Sequence, residues 1–517
     1  MKNLPIGIQS FSKLRKGEFL YIDKTEDIYN LFSNGGRYYF LSRPRRFGKS
    51  LLISTLSELA AGNKELFKGL WIYDKIEWKK HPVVHIDFSG MQYGSEKKLQ
   101  ETLNYLIDKN AEKYQVRLKE NDYDKKFVEL ITELSQQAPV TVLVDEYDKP
   151  IIDMVEKKEI AEANRKILGN FYSIIKAVDQ HLGFVFFTGV SKFSKVSVFS
   201  GLNNLRDITM SKQFPTLLGY TEKELQHYFD DYIKRLAGET EINRKSLIDK
   251  IRDWYNGYSW DGAHFVYNPF SILNLFAENT FGNFWFSTGT PSFLIKLIKQ
   301  QKSNITEFDD LPVSSYAFDS YDIEHMEIVP LLFQTGYLTV KERFVKRDKT
   351  SYRLSYPNKE VRDSFLTYLF REYTKKDLPS GTQVLERMAE AVEADDIAGL
   401  IDILKSLFAS IPYNIFIGER EAYYHTVIYL MLKLTGADIV SEVATNIGRI
   451  DAVLETEKKV YIMEFKTGSE QQALAQIKEK GYHEKFRNCG KEIVQIGIGF
   501  DMGKRNIGKF ILETLYP

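Results

Sequence analysis

The sequence predicts a multidomain α/β protein with a helix-covered parallel sheet, a mainly helical middle and a smaller C-terminal α/β part. Strand-like and helix-like patterns alternate up to about residue 215, which is typical of a parallel sheet covered by helices. The pattern then becomes mainly helical and rich in aromatic residues, and strands return from about Ile439. We therefore expect three domains, at residues 1–215, 216–380 and 381–517, with a linker around Lys375–Thr382.

Composition limits the class of protein. The 517 residues are 43% hydrophobic, which is enough for several cores. Lys plus Arg and Asp plus Glu both total 70, so any basic surface for nucleic acid is a local patch. The single cysteine, Cys489, excludes an intrachain disulfide framework, and we expect it to be packed. With no signal-peptide pattern and no apolar run long enough to span a bilayer, we expect a cytoplasmic protein without a membrane partner.

The first predicted element is the sheet of the N-terminal domain. Apolar runs predict strands at Tyr38–Leu41, Val83–Phe88, Val140–Val144 and Phe184–Phe187. The carboxyl ends of parallel strands meet at one edge of a sheet, where α/β proteins bind their ligands. Polar residues that follow these strands are therefore the first candidates for a functional site.

A phosphate-loop motif follows the first strand. Gly48 permits close approach of the backbone, Lys49 can reach the β- and γ-phosphates, and the Ser50 hydroxyl can ligate Mg²⁺. Arg43 stands where the general G-x-x-x-x-G-K-[ST] pattern has its first glycine. The alternative is a turn that only caps the following helix. The predicted nucleotide-binding residues, two of them arginines whose charge suits a polyphosphate, are Arg45, Arg46, Phe47, Gly48, Lys49, Ser50 and Leu51, together with Asp145.

Two acids end the third strand. Asp145 can hold the shell of the Mg²⁺ ion and Glu146 can polarise the attacking water, which is the division of labour in nucleotide hydrolysis. Acids at a strand end can also simply be solvated. After the fourth strand, Thr188 or Ser191 can sense a γ-phosphate, and an exposed turn explains these hydroxyls equally well. Arg206 is a weaker candidate for an arginine finger, since a surface ion pair is the commoner role.

A second candidate site lies near the C-terminus. In the strand Val460–Lys466, alternation places Glu464 and Lys466 on one face, at the end of an otherwise apolar run. The preceding strand carries Asp451, and a hairpin between the two strands brings Asp451 beside Glu464. Paired carboxylates bind Mg²⁺ or Mn²⁺, and Lys466 can orient or deprotonate a water. The alternative is a hairpin in which acid and lysine only form a salt bridge.

Both sites resemble the AAA-ATPase-like family of bacterial proteins, which pair an N-terminal P-loop domain with a C-terminal PD-(D/E)XK nuclease-like domain. The phosphate loop, Tyr21–Thr25, Val144–Pro150 and Trp254–Tyr258 carry the resemblance, which spans nearly the whole chain. It implies a P-loop NTPase sheet domain, a helical middle domain that acts as a lid or relay, and a restriction-endonuclease-like domain. It also implies ATP as ligand and makes Arg43 a family trait.

The resemblance adds candidates around the C-terminal site. Similar nuclease domains use a glutamate from the first core helix, for which Glu421 is the candidate and Glu442 the alternative. Gln476 and Tyr482 lie on a predicted lysine-rich helix, where they can steady Lys466 or contact a DNA backbone. The histidines, which include His425, show no zinc-binding spacing and are expected to be structural or exposed.

The favoured interpretation is an ATPase coupled to metal-dependent cleavage of nucleic acid, with DNA as the favoured substrate. Lys49, Ser50 and Asp145 would bind Mg-ATP, Glu146 would assist hydrolysis, and Asp451, Glu464 and Lys466 would form the nuclease site. The architecture favours a role in defence against foreign DNA, and related ATPases suggest a homo-oligomer. Two alternatives stay open: an ATP-dependent switch or scaffold whose nuclease-like domain binds a partner without cutting, and a stand-alone ATPase with an inert tail.

Overall fold

The computed structural model describes most of the chain. The described residues are 1–33, 35–192, 198–199, 201–202, 204–286, 292–301, 303–318, 327–375, 381–411, 421–445 and 448–515. They form two compact units, Met1–Leu297 with Leu311–Val361, and Ile298–Asp310 with Arg362–Pro517. Most of the predicted linker falls outside the described residues, and the division into three domains stays a prediction.

A five-stranded parallel sheet forms the core of the first unit; four of its strands were predicted and the short fifth strand was not. Its strands are β1 (Tyr38–Ser42), β2 (Val83–Asp87), β3 (Val140–Asp145), β4 (Leu182–Gly189) and β5 (Arg206–Asp207), in the order β2-β3-β4-β1-β5. The chain leaves β1 towards one edge of the sheet and returns to the other side of β1 at β5. The ends of β1, β4 and β3 therefore converge where a ligand of an α/β sheet binds.

Amphipathic helices cover this sheet. The helix Glu96–Lys113 shows the cause, because Ser95 caps its first turn and Leu99, Leu103 and Leu106 bury one face at helical spacing. The helices of this part are Phe11–Lys16, Thr25–Ser33, Lys49–Ala60, Glu96–Lys113, Tyr123–Ser135, Lys149–Ile152 and Lys158–Ala177.

The middle of the chain is helical, as predicted, and also contains a small sheet that the sequence did not reveal. Its helices are Glu222–Tyr228, Asp230–Thr240, Arg244–Tyr255, Pro269–Glu278, Ser292–Gln301, Ile328–Thr335 and Lys359–Thr374. The antiparallel strands β6 (Leu311–Ser314), β7 (Thr339–Lys346) and β8 (Lys349–Ser355) pair in the order β6-β8-β7. Arg347 and Asp348 both have positive φ in the β7–β8 turn, so neither glycine nor asparagine announces this hairpin.

The second unit holds a mixed five-stranded sheet. Its strands are β9 (Asp438–Ala444), β10 (Arg449–Glu455), β11 (Lys459–Thr467), β12 (Glu492–Asp501) and β13 (Asn506–Leu515), in the order β13-β12-β11-β10-β9. Its helices are Gly381–Glu393, Ile397–Ser410, Glu421–Leu434 and Glu470–Glu479. The three strands and the helix predicted from Ile439 onward are present, while β12 and β13 were not predicted.

Strand β12 pairs parallel to β11 because a helix connects them. That helix lies close against the sheet: a Cβ on Gly497 would stand 2.3 Å from the Glu470 carbonyl oxygen. Cys489 corrects an expectation, since it is exposed and not packed. Within the described ranges, no helix has the length and apolar character needed to cross a bilayer.

Candidate functional site

The turn after β1 has the backbone geometry of a phosphate loop. Gly48 has a φ of 87° and precedes the helix Lys49–Ala60. A Cβ at Gly48 would meet nothing within 4 Å, so its left-handed backbone, and not crowding, accounts for the glycine. The first residues of the helix, Lys49, Ser50 and Leu51, border a cavity, and the unpaired N–H groups at a helix N-terminus are suited to bind an anion.

The Lys49 side chain lies beneath the loop and contacts its backbone. Its Nζ donates hydrogen bonds to the carbonyl oxygens of Arg43, at 3.0 Å, and of Pro44, at 2.9 Å. Burial lowers the pKa of Lys49, and the nearby Asp145 carboxylate counters part of that effect. The two backbone carbonyl groups thus hold the lysine beneath the loop.

The acids at the end of β3 lie beside the loop. Burial raises the pKa of Asp145 to about 6, while a hydrogen bond from the Ser50 side chain lowers it. This pairing of a loop hydroxyl with a strand-end carboxylate fits the predicted Mg²⁺ ligands. Glu146 has a φ of 52°, and its N–H donates to Asp145 Oδ1 at 2.9 Å. Lys149 Nζ lies 3.3 Å from Glu146 Oε2, as an ion pair without hydrogen-bond geometry.

The segment after β4 is fastened to the same region by Asp148. Its buried carboxylate accepts hydrogen bonds from the Ser191 N–H and hydroxyl, both at 2.7 Å, and from the Val190 N–H at 3.1 Å. Ser191 therefore has a structural partner. Thr188 is fully buried, and in the described part of the chain its hydroxyl oxygen has no hydrogen-bond partner, which keeps it as the candidate sensor. Arg206, the weaker arginine-finger candidate, donates to Gln213.

Arg43 forms a wall of the loop. Its guanidinium donates to the carbonyl oxygens of Ser42 and Thr209, at 2.9 and 2.8 Å, and lies 3.7 Å from the ring centroid of Trp260. Burial lowers the pKa of Arg43 to about 9. The stacked and hydrogen-bonded geometry explains why arginine, and not glycine, occupies this position.

Aromatic residues of the middle segment support the outer side of the loop. Trp285 Nε1 donates to the Arg45 carbonyl oxygen at 3.0 Å. The ring of Phe47 packs edge-on against Tyr258 and Trp260, with centroids 4.8 and 5.5 Å apart. Phe47 thus contributes packing to the loop, a role that its place in the motif did not reveal.

The phosphate loop and the turn after β3 border a cavity of about 410 Å³, a size that suits a small-molecule ligand. All seven predicted loop residues, Arg45 to Leu51, line it together with Glu146 and Lys149. Its apolar side comes from Leu217–Tyr220 and from Pro269, Phe270 and Leu273. No local sequence pattern indicates this apolar side, because only folding brings it against the loop.

The second site lies in the sheet of the second unit. The β10–β11 register pairs Ala452 with Met463, which sets Asp451 opposite Glu464. Asp451 Oδ2 accepts a hydrogen bond from the Phe465 N–H at 2.8 Å, and Lys466 Nζ lies 3.6 Å from Glu464 Oε1. The structure therefore brings the three predicted residues together through the expected hairpin.

Burial perturbs both carboxylates, and the Asp451 charge also acts on Glu464. Burial and the Asp451 charge raise the pKa of Glu464 to about 8, while Lys466 opposes the rise. Burial also raises the pKa of Asp451. Gln476 Nε2 donates to Glu464 Oε1, but the buried Oε2 atom has no hydrogen-bond partner among the described residues. A cation beside Oε2 would satisfy that atom and relieve the repulsion.

Other predicted residues of this site are only partly placed. Glu421 begins the helix Glu421–Leu434, and its side chain, like that of Glu442 in β9, lies outside the described residues. Tyr482 OH donates to the Arg449 carbonyl oxygen at 2.7 Å. Lys478, on the helix that carries Gln476, is paired with Glu513 at 2.5 Å.

His425 also lies at this site, which no sequence pattern predicts. Its Nε2 lies 3.6 Å from Asp451 Oδ2, and its ring lies 4.5 Å from the Phe465 ring centroid. The separation of 26 positions from His425 to Asp451 matches no metal-binding spacing, so only the fold reveals their proximity. The described residues contain no cluster of three or more His, Cys, Asp and Glu side chains arranged around a metal position.

Comparison with known proteins finds a matching family for each of the two sites. Residues 5–199 match the family described as "Predicted AAA-ATPase", and residues 419–510 match the PD-(D/E)XK nuclease superfamily. The "Uncharacterized protein in vnfD 5'region" of Azotobacter chroococcum mcd 1 is 39% identical over 528 residues, which cover 99% of each chain. The chain therefore belongs to the AAA-ATPase-like family with a C-terminal PD-(D/E)XK nuclease-superfamily domain.

Proposed function

We propose that this protein binds and hydrolyses ATP at the phosphate loop and couples turnover to metal-dependent cleavage of nucleic acid, with DNA as substrate. The family supports an ATPase and a nuclease domain. The proposal adds the roles of particular residues, the coupling between the activities and the chemical class of the substrate.

In the first half of the proposal, the loop binds the phosphates of ATP. The N–H groups at the start of the helix Lys49–Ala60 and the Lys49 ammonium would neutralise the phosphates. Ser50 and Asp145, whose side chains interact with each other, would hold Mg²⁺, which draws electrons from the γ-phosphate when it is bound. Glu146 would orient the attacking water from the strand end.

The observation that carries the second half is the buried carboxylate pair. Glu464 is 1% exposed and lies opposite Asp451, and its Oε2 has no hydrogen-bond partner within the described ranges. Two close carboxylates are unfavourable in the ionised state unless a cation lies between them. We assign Asp451 and Glu464 to a divalent cation, Mg²⁺ or Mn²⁺, and Lys466 to the attacking water. Glu421 is included on the family resemblance alone.

The biological setting and the assembly are part of the same proposal. An ATPase joined to a nuclease fits defence against foreign DNA, because nucleotide turnover can gate a cutting activity that would otherwise damage the host. A homo-oligomer is proposed because ATPases of this kind often complete their sites between subunits. The middle segment contacts the phosphate loop through Trp285 and Trp260, which supports its role as a relay.

The test is cleavage of single- and double-stranded DNA and RNA with Mg²⁺ or Mn²⁺, with and without ATP. Wild type is compared with Asp451→Ala, Lys49→Ala and the exposed-turn control Glu457→Gln. Cutting that is lost in Asp451→Ala, changed by ATP only when Lys49 is present, and normal in the control is the expected result. If ATP binds but no metal allows cutting, the nuclease half is wrong and the switch or scaffold function replaces it.

A further inference from the structure

The cation that lies beside Glu146 in the nucleotide cavity is Lys149. Its Nζ is 3.3 Å from Glu146 Oε2 and 3.6 Å from Asp153 Oδ2. Lys149 also lines the cavity that the phosphate loop borders. A positive charge therefore stands on the side of the cavity from which Glu146 would direct water.

The backbone holds Lys149 firmly in this place. Lys149 begins a short helix with Pro150 in its first turn, directly after Asp148. The Asp148 carboxylate binds the backbone N–H groups of Val190 and Ser191, so this helix is tied to the ends of both β3 and β4. A side chain supported by two strand ends is suited to a task that requires a fixed geometry.

The other cations considered for this reaction have different partners. Lys49 donates to two loop carbonyl oxygens, and Arg43 is buried in its stack with Trp260. Arg206 lies in the strand β5, on the side of β1 opposite to β3 and β4, and donates to Gln213. Among the described cations that line the cavity, Lys149 is the one that forms an ion pair with Glu146.

Hydrolysis creates a need for such a charge. A water oxygen forms a bond to the γ-phosphorus, the bond from that phosphorus to the β-phosphate oxygen breaks, and the water proton passes to Glu146. Negative charge builds on the γ-phosphoryl oxygens and on the leaving ADP. A cation fixed beforehand beside these oxygens stabilises the transition state without reorganisation.

We propose that Lys149 is a catalytic residue that stabilises the transferring γ-phosphoryl group in cis, in the role that an arginine finger has in other ATPases. In the absence of nucleotide, its contacts with Glu146 and Asp153 keep it in position. When the γ-phosphate is bound, the ammonium exchanges part of these contacts for phosphoryl oxygens. The inference rests on the proposed ATPase activity and adds the residue that completes the site.

The test separates nucleotide binding from turnover in Lys149→Met and Lys149→Arg. For Lys149→Met we expect the kcat to fall at least about 100-fold, while the Kd for ATP changes only a few-fold. We also expect it to lose the extra affinity for ADP with aluminium fluoride, a mimic of the transferring phosphoryl group, and Lys149→Arg to recover part of both. Lys158→Met, an exposed lysine one helix further on, is the matched control.

Each result has a defined meaning. A kcat that is unchanged or higher in Lys149→Met would overturn the inference, since Lys149 would then only restrain Glu146. Loss of ATP binding together with loss of the folded-state circular dichroism signal in both variants would assign it a structural role and also overturn it. If wild type binds ATP without turnover, the proposed ATPase activity is wrong, and the inference with it. If wild type hydrolyses ATP and Lys149→Met does so equally well, the inference about Lys149 is wrong while the proposed ATPase activity stands.

Discussion

Glu464→Gln should stabilise the second unit at high pH while it removes metal binding. The pKa of Glu464 is higher in the folded protein, about 8, than its ordinary 4.5. Unfolding between these pH values therefore releases a proton, and stability falls as pH rises through this window. At 1.36 kcal/mol per pH unit the full difference corresponds to about 5 kcal/mol, and access of water and Lys466 to the pair reduces it to roughly 2 kcal/mol. Glutamine keeps the shape and cannot ionise.

The assay is differential scanning calorimetry of the full chain at pH 5 and pH 9, without metal and with Mn²⁺. The transition that responds to the substitution is followed, because a chain of two units need not unfold in one step. At pH 9 without metal, Glu464→Gln should raise that transition by about 4 to 8 °C. At pH 5 it should change little. Saturating Mn²⁺ should stabilise wild type by about 2.7 kcal/mol at 100 times Kd, and the variant not at all.

The exposed-turn substitution Glu457→Gln controls for the loss of one carboxylate anywhere in the hairpin, and it should leave both the pH response and the Mn²⁺ response unchanged. A variant that is less stable than wild type at pH 9 would refute the reasoning, because the ionised pair would then be favourable without metal. Equal stabilisation of variant and wild type by Mn²⁺ would remove Glu464 from the metal site.

Three further predictions concern the first unit. Lys49→Ala should lower ATP affinity roughly 10- to 100-fold, because a charged hydrogen-bond donor is lost; titration with a fluorescent nucleotide checks this, and wild-type affinity would contradict it. Arg43→Gly, which restores the general motif, should destabilise the unit by about 2 kcal/mol through loss of the stack on Trp260; an unchanged thermal transition would show that the stack contributes nothing. Asp148→Asn should lower the kcat for ATP hydrolysis more than the affinity for ATP, because the side chain becomes a weaker acceptor for the Ser191 hydroxyl and N–H. Steady-state kinetics check this, and equal losses of kcat and of affinity would assign Asp148 to binding instead.

Elements defined by neighbours in the chain were predicted well. The four strands β1 to β4 and the hairpin that joins Asp451 to Glu464 follow from apolar runs and from alternation, which depend on residues a few positions apart. The same holds for the turn at Gly48, where a motif fixes both the backbone and the chemistry. The strands β5 to β8, β12 and β13 were missed. The strand β5 has only two residues, and β6, β7, β8 and β13 are only partly buried. The strand β12 is buried along nearly its whole length, so exposure does not explain why it was missed.

Contacts between distant segments were not predictable in this way. The stack of Arg43 on Trp260 joins residues 217 positions apart, and the Trp285 hydrogen bond to Arg45 spans 240 positions. His425 reached Asp451 only through the packing of a helix on a sheet. No local pattern records such pairs, because many different chains can supply the same contact.

The amino-acid sequence specifies the chemistry that is available at the two sites. It supplied the glycine, lysine and serine of the loop, the acids after β3, and the Asp451, Glu464 and Lys466 set, because these roles require particular side chains at short spacings. The tertiary structure decided which groups meet, how deeply each is buried and therefore how strongly each is perturbed. The raised pKa of Glu464 and the position of Lys149 beside Glu146 depend on distances and on exclusion of water, which exist only once the chain has folded.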